Sequence, residues 1–201
     1  MRIERYVGEL TEALAGDGLL AAVDRLCGHL DDFRSSGRTL LVAGNGGSAS
    51  TAEHFAQDAT RKGGLRCLAL TLTTSALTAS ANDHGFERVY VDAYDAVACD
   101  GDPVLIFTTT GNSPNLVALA RHVRDRGGAV LAFTGADGGV VGELSDLEAR
   151  AALADAGMIE SCHLALAHYC AEAIASTSSA YGSGMSGSAS SAARRAAGPR
   201  V

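Results

Sequence analysis

The sequence predicts an α/β fold, a doubly wound and mostly parallel five-stranded sheet flanked by helices. Three observations predict it. Short apolar runs recur along the chain, and none of them alternates apolar with polar residues. Continuous runs of this kind belong to strands covered on both faces, as in parallel sheets. Segments with helical periodicity separate the runs, and strand alternating with helix is the doubly wound pattern. Several runs end in a loop rich in glycine or hydroxyl residues, where open α/β sheets place their ligands.

The elements follow in order. Ile3, Tyr6, Val7, Leu10 and Leu14 form an i, i+3, i+4, i+7 stripe, which predicts a helix over residues 3–14. A glycine break leads to a second helix over residues 19–34, with Asp17 as its expected cap. Strands are expected at 39–43, 67–72, 104–107 and 129–133, with a weaker one at 147–151. Helices are expected at 49–61, 86–98, 113–126 and 156–175. Residues 176–201 are rich in Ser, Gly and Ala. With few large apolar groups to offset the entropy of ordering, they read as a disordered tail. The expected organisation is thus an N-terminal helical pair (1–36), an α/β domain (37–175) and that tail.

Composition narrows the function. The chain has 201 residues, 47 % hydrophobic and 19 % charged, which is globular and large enough for a real core. Its net charge of -7 argues against coating nucleic acid or an anionic membrane. No apolar run approaches the roughly 20 residues that span a bilayer. The charged amphipathic start lacks the apolar core of a signal peptide. Cys27, Cys67, Cys99, Cys162 and Cys170 form an odd set without a CxxC pair, which fits reduced thiols in a cytoplasmic protein.

Two loops carry chemistry. Gly44-Asn45-Gly46-Gly47-Ser48 joins a strand to a helix. Its glycines allow close approach to a ligand, and the helix start offers free N–H groups to an anion. Thr108-Thr109-Thr110-Gly111-Asn112-Ser113-Pro114-Asn115 repeats that context, with Ser113 as expected N-cap and Pro114 in the first turn. It has no Walker lysine, and the first loop lacks GxGxxG spacing, so no nucleotide is expected. Hydroxyls with helix-start amides suit a phosphomonoester; a capped polar turn is the alternative. His54 and Asp58 lie i, i+4 on one helical face, where they can bind a metal, share a proton or simply hydrogen bond at the surface. On the last long helix, Glu160 and His168 are about 80° apart around the axis. His163 among apolar neighbours there reads as a core or interface residue. Asp83 can cap a helix or receive sugar hydroxyls. The glycine-rich stretch after Thr134 reads as a tight turn.

Together these strings resemble the sugar-isomerase (SIS) domain family, in its phosphoheptose isomerase branch. The resemblance covers nearly all of the chain outside the tail. It rests on the first loop, His54-Phe55-Ala56, Asn82-Asp83-x-Gly85-Phe86, Thr109-x-Gly111-Asn112-Ser113-x-Asn115, Thr134-Gly135-x-Asp137-Gly138-Gly139 and Ile159-Glu160-x-x-His163, in this order. It implies a flavodoxin-like sheet, an N-terminal helical pair between subunits and a homotetramer. It implies an aldose–ketose isomerase that converts sedoheptulose 7-phosphate to a heptose 7-phosphate through an enediol. Asp58 and His168 take the catalytic positions. Asn45, Gly46, Ser48, Asp83, Thr108, Thr109, Thr110, Ser113 and Glu160 take the substrate-binding ones. Zinc or another divalent metal is implied for some members, which maps to His54, Asp58, Glu160 and His168. Two departures stand out: Asp58 replaces a glutamate and Glu160 a glutamine. They motivate two alternatives, an isomerase of another long-chain ketose phosphate or a non-catalytic SIS assembly protein.

Overall fold

The computed structural model describes residues 2–185. Its sheet holds β1 (Leu40–Gly44), β2 (Cys67–Ala69), β3 (Val104–Phe107), β4 (Val130–Gly135) and β5 (Leu147–Ala151), in the order β2-β1-β3-β4-β5. Every pairing is parallel. The register aligns Gly44 with Phe107 and Phe107 with Phe133, so three strand-end loops lie side by side. After β1 the chain crosses to β2 on one side, and after β3 it crosses to β4 on the other. The crevice between the ends of β1 and β3 is therefore the topological switch point, where open α/β sheets bind ligands.

The helices are α1 (Ile3–Leu14), α2 (Asp17–Ser36), α3 (Gly47–Arg61), α4 (Thr74–His84), α5 (Val89–Val97), α6 (Pro114–Asp125), α7 (Gly139–Leu144) and α8 (Ala156–Met185). The strands alternate between two cores, which explains their continuous apolar runs. Leu40, Val42, Leu105 and Phe133 pack under α2, α3 and α8 with Leu26, Phe55 and Ile174. Leu41, Ala43, Ile106 and Ala132 pack on the other face under α5 and α6 with Tyr94 and Leu119.

Several boundaries differ from the sequence expectations. α2 begins at Asp17 itself, with Gly16 in the cap position, so Asp17 faces the helix dipole from the first turn rather than capping it. Ser113 occupies the N-cap of α6 and Pro114 its first turn, yet Ser113 makes no side-chain cap bond. Instead its carbonyl accepts from Leu116 and Val117, both at 3.0 Å. β2 stops at Ala69, because this edge strand pairs with β1 only over Leu40–Val42 before the chain turns towards α4. The turn after Thr134 holds a short helix, α7; its start lies at Gly138 and Gly139, both with positive φ, a poor helix signal. α8 runs ten residues past its expected end. Extending a formed helix avoids the nucleation cost, and Thr177 Oγ1 donates to Asp31 Oδ1 on α2 at 3.0 Å. The remainder of the expected disordered tail, from 186 on, lies outside the described residues.

Candidate active site

The first loop is shaped by absent side chains. A Cβ at Gly44 would fall 2.6 Å from the Ser48 backbone, so the first turn of α3 folds directly onto the end of β1. Gly46 precedes the helix at φ 56°, a conformation that favours glycine. Gly47 leaves room for the Glu160 carboxylate, which a Cβ there would meet at 2.3 Å. An anion at this position is favoured by the positive end of the α3 dipole. Ser48 is buried in the first turn, whereas Asn45 and Gly46 face outward.

The hydroxyl loop is closed by its own backbone. Gly111 N donates to Thr108 Oγ1 at 3.1 Å, and Asn112 N to Thr110 Oγ1 at 3.3 Å. Gly111 has φ 69°, and a Cβ there would sit 1.8 Å from the Gly138 carbonyl oxygen. Val141 N donates to Gly111 O at 2.9 Å and Val140 N to Asn112 Oδ1 at 3.2 Å, which ties the loop to α7. Thr108 is buried, Thr109 and Ser113 half-buried, and Thr110 exposed. The two loops meet across the switch point through the Asn45 and Asn115 amides, which donate to each other at 2.9 Å.

Two separate cavities of about 290 Å³ open beside the first half of α3. One is lined by Asn45, Gly46, Glu53, Thr71, Tyr90 and Asn115, with an apolar wall. The other is lined by Gly47, Thr51, His54, Glu160 and Ser161. Asp83 lines neither; it is exposed in the last turn of α4, where it accepts from Asn82 Nδ2 at 2.8 Å.

α3 and α8 meet at the second cavity, and from its His54 wall they run on together to Asp58 and His168. His54 Nε2 and His168 Nε2 lie 2.9 Å apart, and Asp58 Oδ2 is 3.7 Å from His54 Nε2. Asp58 is buried and paired: Lys62 Nζ is 3.0 Å away and Arg61 3.7 Å. The Lys62 hydrogen bond, then Lys62, His54 and Arg61 as charges, hold its carboxyl below the usual range against the opposing effect of burial. Lys62 also reaches Glu172 on α8 at 2.7 Å. That bond, with the Asp58 bond second, raises its own pKa.

The expected metal set is reproduced in part. Donor atoms of His54, Asp58 and His168 lie within 4.8 Å of one another, two imidazoles and a carboxylate, a donor set suited to zinc. Glu160 is outside this group, with its carboxylate over Gly47 instead. His163 stays in the core, as its neighbours suggest. Its Nε2 donates to Thr134 O at 3.0 Å, it packs against Phe107 and Phe133, and burial lowers its pKa to about 4. Glu172 and Thr71 were not singled out by the sequence, Asn115 entered only as part of the hydroxyl loop, and Lys62 only as a residue that could sit near an anionic substrate. Lys62 carried the one usable signal, as the sole lysine and i+4 from Asp58.

The SIS domain profile matches residues 4–135. The chain belongs to the SIS domain family. A phosphoheptose isomerase of Bradyrhizobium sp. (strain BTAi1 / ATCC BAA-1182) is 37 % identical over 177 residues, 86 % of this chain and 89 % of the relative. The Burkholderia pseudomallei (strain K96243) phosphoheptose isomerase is 38 % identical over 160 residues, 77 % and 81 % of the two chains. The solved phosphoheptose isomerase of Neisseria gonorrhoeae superposes with a TM-score of 0.78 at 30 % identity, covering 85 % of this chain and 94 % of that one. The SIS sheet and its switch point are thus shared with solved relatives. Among the described residues no helix is long and apolar enough to cross a membrane.

Proposed function

We propose that this SIS domain is a phosphosugar isomerase that interconverts sedoheptulose 7-phosphate and an aldoheptose 7-phosphate through an enediol. The observation that carries the reading is the grouping of an ionised, buried carboxylate with two imidazoles on α3 and α8, α3 being the helix that starts at the first switch-point loop. Ketose-to-aldose conversion needs one group for carbon and one for oxygen. Asp58 removes the C1 proton while His168 donates a proton to the C2 oxygen, giving the enediol. His168 then takes the O1 proton and Asp58 returns its proton to C2. The loops with Asn45, Gly46, Ser48, Thr108, Thr109, Thr110 and Ser113 hold the phosphate. That contact is remote from the reacting carbons and fixes the open chain against the base. Glu160, which lines the second cavity, is assigned to the sugar hydroxyls, whereas Asp83, exposed on α4 and lining neither cavity, is not.

One zinc or other divalent ion held by His54, Asp58 and His168 would polarise the carbonyl. The Lys62 ammonium competes with such an ion for Asp58. A homotetramer is supported by α1, which buries no residue and leaves Ile3 66 % and Val7 51 % exposed along its apolar stripe. The composition and reduced thiols support a cytoplasmic setting.

The second reading is a non-catalytic SIS assembly protein. The salt bridge of Asp58 with Lys62 favours it, because it quiets the base. Sedoheptulose 7-phosphate followed by NMR, with chelator and with added zinc, separates the two. An aldose product supports the isomerase. A rise in melting temperature without conversion supports the assembly protein. Conversion of an eight-carbon ketose phosphate in preference would move the substrate and keep the reaction.

A further inference from the structure

The first loop and the hydroxyl loop end neighbouring strands, and one buried side chain spans them. Asn115, the second residue of α6, is 0 % exposed. A buried amide is costly unless its polar ends are paired, and this one is paired three times. Its Nδ2 donates to Asn45 Oδ1 at 2.9 Å, and its Oδ1 accepts from Asn45 Nδ2 at 2.9 Å. The same Oδ1 accepts from Leu116 N at 3.0 Å, an N–H that it shares with the Ser113 carbonyl. The backbone donor decides which end of the amide is oxygen, because a reversed Asn115 would set its NH₂ against the Leu116 N–H. Asn115 in turn decides Asn45, because a reversed Asn45 would set oxygen against oxygen and nitrogen against nitrogen. Asn45 is half-buried, and its carbonyl accepts from Ala49 N at 3.3 Å in the first turn of α3. The amide pair therefore ties the start of α3 to the start of α6 across 70 residues of chain. Two positive dipole ends are brought side by side, and the tie holding them adds no charge of its own.

We propose that Asn115 is a positioning residue for the phosphate of the substrate, acting through Asn45. It sets the spacing of the two loops and the direction in which the Asn45 amide points. Asn115 does not itself touch the ligand, because its amide is spent on Asn45 and Leu116 and none of its surface is exposed. Asn45 is the member of the pair that reaches the cavity. After the pairing it keeps one N–H and one oxygen lone pair, each in a fixed direction. A phosphate oxygen accepts hydrogen bonds and repels other acceptors. An amide free to turn would present its oxygen to the anion as readily as its nitrogen, so the locked orientation removes a repulsive state before the ligand arrives. The fixed spacing acts in the same sense, since an anion can neutralise both helix starts only if they stay together. The proposal rests on the phosphosugar isomerase reading, because it takes these two loops as the phosphate site.

The test is a double-mutant cycle on the full chain with Asn115→Ala, Asn45→Ala and the two combined. Three quantities are measured: the Kd of inorganic phosphate by calorimetry, the steady-state constants for sedoheptulose 7-phosphate, and the melting temperature. Asn115→Ala should raise the phosphate Kd and the KM about tenfold, the scale of one hydrogen bond to a charged group. Its kcat should change less than about twofold, as for lost binding shared by ground and transition states. Asn45→Ala should show a rise of the same size. The combined variant should bind phosphate within about twofold of Asn45→Ala, because the partner through which Asn115 acts is already gone. Its melting temperature should still fall below that of Asn45→Ala, since the buried side chain is lost in either background. Were Asn115→Ala not to fold, Asn115→Ser, which keeps a polar atom at the buried position, takes its place in the cycle. An unchanged phosphate Kd in the Asn115 variant would overturn the proposal. So would a combined loss near a hundredfold, which would make the two asparagines independent. Multiplying losses in a parent chain that converts the sugar would overturn the positioning role and leave the isomerase standing. The predicted cycle in phosphate binding, with a parent that converts no sugar, would overturn the isomerase reading and leave the positioning role standing.

Discussion

The hydroxyl loop lies across the switch point from the start of α3 and the histidine–aspartate cluster lies in the C-terminal half of that helix, and the two are built by different physics. The loop is local: Thr108, Gly111 and Asn112 close on one another within a few residues, and the backbone makes the shape. The cluster is not, since His54 and His168 lie 114 residues apart and meet only because α3 packs on α8. The loop depends on absent side chains, at Gly111 and its neighbour Gly138. The cluster depends on present charges, with Asp58 between Lys62 and two imidazoles. A site of the first kind should fail when atoms are added. One of the second kind should fail when charge is removed, with the fold left in place.

The largest effect is expected from removing the cluster's chemistry. Asp58→Asn or His168→Ala should lower kcat by about 10²–10⁴, the range for a positioned acid or base. The melting temperature and the binding of inorganic phosphate should stay near those of the parent. Steady-state kinetics beside thermal melts decide it; normal turnover in either variant removes that residue from the mechanism. Gly111→Ala should act in the opposite manner. The new Cβ meets the Gly138 carbonyl and the residue must keep φ 69°. Such backbone strain costs about 1–3 kcal/mol before the clash is counted. Urea melts should register that loss, and phosphate binding should weaken with it. An unaltered melt would mean that this loop tolerates a methyl group where its geometry forbids one.

Smaller effects sharpen the charge side of the comparison. Lys62→Met removes the strongest influence lowering the Asp58 pKa and leaves burial to raise it. The acid limb of kcat/KM should move to higher pH. A limb that stays in place would mean that Asp58 is not the group titrating there. His163 gives a pH effect on folding alone. Its folded pKa of about 4 lies below its ordinary 6.5, so the fold favours the neutral ring. As pH falls, the unfolded chain takes up the proton first. The stability tied to this group is complete above 6.5 and is lost as pH drops towards 4. His163→Leu should flatten that part of the stability profile, measured by denaturant melts at stepped pH.

The same contrast governs what could be read in advance. The buried strands were legible because both their faces are covered, so the apolar runs are continuous. The two loops were legible because glycine and hydroxyl residues at strand ends have few other uses. α7 was hidden by Gly138 and Gly139, whose positive φ looks like a turn in sequence. The partnership of Lys62 with Glu172 was hidden because it spans 110 residues and exists only through the α3–α8 packing. Glu160 was legible as a polar residue on a buried helix, but its position over Gly47 follows from the missing Cβ at the start of α3. Asp83 could be placed near a helix end, yet no pattern in the string told which way α4 would face.

The central claim is that Asp58 carries a proton between neighbouring carbons of a phosphorylated sugar. Its most direct test is NMR of sedoheptulose 7-phosphate incubated with the protein in D₂O, beside Asp58→Asn. The account predicts an aldoheptose phosphate that carries solvent deuterium at C2 with the parent chain, and neither product nor label with the variant. Equal labelling by both chains, or no label from a folded parent that binds phosphate, would contradict it.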